Sequence, residues 1–202
     1  MDKIFHSTFD FFSHAIPGFC VLSSFFILDP TLQDAQQFLK LASQMNIGSG
    51  VFVLVLSYLT GFAINPIGRK IYKRLGFLLF ENKFHKDYKL FISDKFILIR
   101  EFSPNNFKYV ETWNMFCAMA HNLAVASLFV LCITLIKINW QHPGNIEFWR
   151  TVAGLSLVFF ILFLHRAVKF YKWAGDDLNA ALWTLQLEER ARHAAAAASP
   201  QK

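Results

Sequence analysis

Three histidines stand in or beside long apolar stretches of this 202-residue chain: His14, His121 and His165. Imidazoles on facing helices could ligate a buried haem or metal ion. None of the three belongs to an HxxxH or CxxH pair, and His14 and His165 fall near the ends of their stretches, close to water. Three asparagines extend the polar set, which reads His14, Asn65, Asn114, His121 and Asn122. In a ring of subunits such residues could line a conducting path. The simpler reading is glue, in which they hydrogen-bond one helix to the next.

Other chemistry finds no support. Cys20, Cys117 and Cys132 are odd in number, form no CxxC, and all lie in apolar runs, so they read as small hydrophobic residues. No GxSxG, Walker loop or HExxH occurs. No Asp or Glu lies between positions 11 and 28, 41 and 68, 112 and 136, or 151 and 165. The expectation is a protein that is not an enzyme and carries no metal or cofactor, with a haem or quinone oxidoreductase as the redox alternative.

The elements that must hold these residues are membrane helices. Apolar residues make up 54% of the chain and 24 are phenylalanine, more than a soluble domain of this size can hide. Four spans emerge from the hydropathy: Phe11 to Leu28, about Ile47 to Ile67, Thr112 to Ile136, and about Phe148 to His165. Asp2 and Asp10 precede the first, and bulky residues occupy the place of a cleavage site, so it reads as a retained anchor. Pro17-Gly18 should loosen that helix, tolerable where a neighbour satisfies the freed carbonyl. Ser57 and Gly61 form a small-xxx-small pair suited to close helix approach.

Between the spans, Asp34 to Lys40 reads as a short polar helix or loop, Ser103-Pro104-Asn105-Asn106 as a turn, and Asn139 to Asn145 as a Pro-Gly connection. Residues 68–111 form a basic loop too apolar for a free linker, with a juxtamembrane helix and a small packed subdomain expected there. From Asp176 the chain reads as helix, with Leu178, Ala181, Leu182 and Leu185 on one stripe able to pair with something. The fold class expected is therefore all-α: a four-transmembrane-helix bundle with that subdomain and a C-terminal cytoplasmic helix. Its divisions are 1–67, 68–111, 112–172, 173–193 and a disordered tail at 194–202.

Lysine and arginine set the orientation. Residues 68–111 carry ten and the tail after His165 carries six. The two opposite loops hold only Lys40, Lys137 and Arg150, so the long loop and both termini face the cytoplasm. The net charge of +6 is thus spread beside the membrane rather than gathered on a basic domain, and direct nucleic-acid binding is not expected. A soluble partner would meet Arg69, Lys70, Lys73, Arg74, Asp176, Asp177, Leu178, Leu182 and Leu185.

Two short motifs carry a resemblance: Ser13-His-Ala-Ile-Pro-Gly18 in the first span, and Arg166-Ala-Val-Lys-Phe-Tyr-Lys-Trp-Ala174 after the fourth. With the size and span number they resemble the KwaA family, membrane subunits of the Kiwa anti-phage defence system. That resemblance implies a homo-oligomer, a tetramer, in the bacterial inner membrane. It further implies sensing of phage attack and recruitment of a cytoplasmic DNA-binding effector like the second Kiwa protein, KwaB. An oligomeric pore that depolarises the membrane is the alternative role.

Overall fold

The structure is a computed structural model that describes residues 2–80 and 92–198. Its described residues are helices joined by short turns, without a strand among them. Helix α1 (Asp2–Phe26) leads to a short α2 (Ala35–Ser43), and α3 (Ile47–Ile71) runs through a π-helical turn (Tyr72–Gly76) into α4 (Phe77–Phe80). Then come α5 (Ile92–Phe102), α6 (Pro104–Ile136), a second π-helical turn (Lys137–Gln141), α7 (Ile146–Thr184) and α8 (Leu187–Ala198).

Three continuous runs are long and apolar enough to cross a membrane: Ile47–Phe80, Pro104–Gln141 and Ile146–Thr184. The apolar part of α1, Phe11–Phe26, is shorter. Helix α6 is central and packs against α7, α1 and α3, while α1 and α3 cross each other.

Sequence punctuation explains the ends. Asp34 caps α2 by accepting the Gln37 amide at 2.9 Å, Asn46 caps α3 through Ser49 at 2.8 Å, and Asn145 caps α7 through Phe148 at 3.2 Å. Several expected boundaries are corrected. Ser103-Pro104 opens α6 rather than making a turn, because proline at the first helical position lacks only an N–H that has no intrahelical partner there. Asn139 to Gln141 are helical, and the chain turns at His142, whose φ of 45° is left-handed. The helix continuous with the fourth span breaks at Gln186, φ 49°, and resumes as α8 through Ala198, where a disordered tail is expected from 194. Part of the basic loop, 81–91, lies outside the described residues, as do the tail residues 199–202.

Glycines set how close the helices come. A Cβ on Gly18 would overlap the Ser57 carbonyl oxygen, and one on Gly61 the His14 carbonyl oxygen. The Ser57/Gly61 pair therefore meets α1 backbone to backbone, which only small residues allow. Gly68 likewise makes room for the ring and carbonyl of His121 of α6, and Gly76 for the side chains of Leu164 and Val168 of α7.

Candidate functional site

Two regions gather the polar and aromatic residues: a seam through the bundle and a helical cap at one end. The seam begins with proline. Pro17 cannot donate to the carbonyl of Ser13, one turn back, and Asn122 of α6 supplies the missing donor, its Nδ2 lying 3.2 Å from the Ser13 oxygen. Asn122 is wholly buried. Beside it Ser13 Oγ and His14 Nδ1 stand 3.0 Å apart, and the His14 ring contacts Tyr58 and Phe62 of α3.

One residue earlier on α6, His121 points to α3. Its Nε2 lies 2.7 Å from Asn65 Oδ1, an acceptor, so in this orientation the proton sits on Nε2. Its ring stacks on Tyr72 with centroids 5.2 Å apart. The structure therefore brings together His121 with Asn65, and Asn122 with the turn holding His14. Asn114 is half-buried lower on α6, and His165 packs on Phe80 at 4.9 Å. Among the described residues no three His, Cys, Asp or Glu side chains converge as a metal would require. What this seam does chemically is join α1, α3 and α6 within one chain, where an unpaired polar group in hydrocarbon would cost several kcal/mol.

At the far end of the bundle a residue singled out only as a boundary charge has a specific place. Lys137 is completely buried. Its ammonium donates to the carbonyls of Ile27 and Asp29, both at 2.8 Å, and to Gln141 Oε1 at 3.3 Å, and it lies 4.9 Å from the centre of the Trp149 ring. Gln141 Nε2 donates to the Leu28 carbonyl at 2.7 Å. The carbonyls of the turn that leaves α1, at residues 27 to 29, are thus capped by the π-helical turn after α6. Nearby, Asp29 accepts from the Thr31 amide and hydroxyl, and those bonds hold its carboxyl below the usual range.

The cap forms where α7 outruns the bundle. Ala174, Leu178, Ala181 and Leu182 pack with Ile99 of α5, Val110 of α6 and Leu187 of α8. The apolar stripe expected to await a partner is covered from within the chain: Leu178 and Leu182 are buried and Leu185 is partly buried against the same cluster. Trp113 Nε1 donates to Asp177 Oδ2 at 2.8 Å, and Lys95 Nζ to Asn179 Oδ1 at 3.1 Å. Burial pulls the Lys95 pKa down, opposed by the charge of Glu188. Trp113, Phe116, Phe170 and Trp173 form an aromatic ladder joining cap to bundle, with centroid separations from 5.0 Å (Trp113–Trp173) to 6.0 Å (Trp113–Phe170).

Exposed on this end are Asp176 and Asp177, together with Arg69 and Lys70 in the last turn of α3 and Lys73 and Arg74 on its π-helical turn. Tyr109 (67% exposed) and Trp183 (78%) are uncovered aromatics. A groove of about 330 Å³ runs between α6 and α7, lined by Asn106, Tyr109, Asp177, Ala180, Thr184 and Leu185 among others.

In comparisons with known proteins, no family model, no curated protein and no solved structure matches this chain.

Proposed function

We propose that the chain is a four-span membrane scaffold, not an enzyme, whose cap docks a soluble partner in the cytoplasm. Three long apolar runs support insertion, and the apolar part of α1 is the fourth crossing, completed by the preceding turns of the same helix. The distribution of lysine and arginine orients cap and termini inward.

One observation carries the docking role. The cap is a folded platform welded to a span, and it still leaves Tyr109 and Trp183 uncovered beside two exposed carboxylates. Aromatic anchors rimmed by charge are the usual makings of an interface. Asp176 and Asp177 suit a basic patch on the partner, and Arg69, Lys70, Lys73 and Arg74 suit acidic groups or lipid phosphates. The resemblance to KwaA makes that partner a DNA-binding defence effector and the membrane the bacterial inner one. It also makes the assembly a homo-oligomer, for which the uncovered membrane faces of α3 and α7 are available.

The test is co-purification from cells that carry the native partner. Replacing Tyr109 and Trp183 by alanine should release the partner, whereas Arg150→Ala at the opposite end should not. Retention of the partner by the cap variant, and by one with residues 69, 70, 73 and 74 neutralised, would remove the docking assignment.

A further inference from the structure

Helix α2 is amphipathic and properly capped, yet none of its residues is buried. Phe38, Leu41 and Ala42 on α2, with Met45 just beyond it, face a gap of about 560 Å³. Across that gap stand Leu22 and Phe26 of α1 and Phe52 of α3. A second gap, of about 320 Å³, lies on the other flank of α1 among Ile27, Leu32, Val130, Trp149 and Val152. The two share three lining residues, Phe19, Ser23 and Phe38, so they straddle the last turns of α1 and meet beneath α2.

Apolar space on this scale does not stay empty, because its lining forfeits dispersion contacts, and water gains nothing there without polar partners. We propose that this forked cavity binds one diacyl glycerophospholipid, an acyl chain on each side of Ser23 and the headgroup at the level of α2. Three features select that occupant. The lining is apolar on both sides, and the fork matches two chains leaving one glycerol. The polar residues of α2, Gln36, Gln37 and Lys40, are exposed, as on a helix lying in the interfacial plane. The inference needs membrane insertion but not the docking of a partner to the cap, at the other end of the bundle.

The test is native mass spectrometry of the full chain released from nanodiscs of phosphatidylethanolamine and phosphatidylglycerol. The wild type should retain one diacyl adduct per chain. Ser23→Trp fills the junction of both gaps and should lower that adduct about tenfold. Ala42→Trp, on exposed α2, obstructs only the larger gap, leaves the bundle core untouched, and should reject the diacyl lipid while still accepting a lysophospholipid. Gly154→Leu, which meets open space, should leave the adduct unchanged. No adduct in the wild type, or equal adducts in all four proteins, overturns the proposal. So does a dimer that Ser23→Trp dissociates, since a second copy of the chain would then be the occupant. If Ser23→Trp does not fold, the Ala42→Trp result decides.

Discussion

Lys137 Nζ donates to the carbonyl oxygen of Ile27 at 2.8 Å, joining the end of α6 to the end of α1 across 110 residues of sequence. A charged group buried in this way is stable only because each of its protons has an acceptor. Replacing it by methionine keeps the apolar stem but strands the carbonyl of Ile27 and leaves that of Asp29 with only the Leu32 amide, at 3.1 Å. Lys137→Met should therefore destabilise the protein by about 2–4 kcal/mol. Thermal unfolding in detergent measures this, with exposed Arg150→Ala expected within about 0.5 kcal/mol of wild type.

Pro17 and Asn122 form a compensating pair. Asn122→Leu should cost about 1–3 kcal/mol by removing the donor to the Ser13 carbonyl. With Pro17→Ala in the same chain the helix regains its own donor, and most of that cost should vanish. A double-mutant cycle reads the coupling, and additive effects would contradict the pairing.

The crossing of α1 and α3 tolerates no side chain at its centre. Gly61→Leu should force the backbones apart at a cost of about 1–3 kcal/mol or more, whereas Gly154→Leu on the open face should be nearly silent. Denaturation in sodium dodecyl sulfate compares the two directly.

Lys95 makes the cap gain stability as the pH rises into mild alkali. Its pKa is lowered by burial, so the folded state holds that proton less firmly than the unfolded chain. Stability should then rise with pH through the window below the ordinary lysine value, as the unfolded state binds more protons there. Lys95→Met removes this one contribution. Between about pH 8 and about pH 10 its melting temperature should gain less than that of wild type.

The bundle was largely legible in the sequence because hydropathy reports burial in lipid as readily as in protein. Boundaries were less so. Ser103-Pro104 has the composition of a turn, but the same two residues can open a helix, and the amide pattern that follows decides between them. The stripe at Leu178, Leu182 and Leu185 was visible as a face, but periodicity says which side is apolar and not what covers it. Here α5 and the start of α6 cover it. The polar set was found by residue type, while its pairing was not. Nothing in the spacing links Asn122 to the proline of α1, or Lys137 to its last carbonyls, since both are contacts between distant segments. A proline or a helix end with no local donor or acceptor is the signal that such a partner exists elsewhere.

The central claim is insertion with the cap on the cytoplasmic side. Single cysteines placed at Trp140, Arg74 and Asp176 in a background lacking Cys20, Cys117 and Cys132 test it in intact cells with a membrane-impermeant maleimide. Trp140, 81% exposed at the opposite end, should be labelled, and positions 74 and 176 only after the membrane is opened. Labelling of position 176 in intact cells, or of all three alike, would contradict the account.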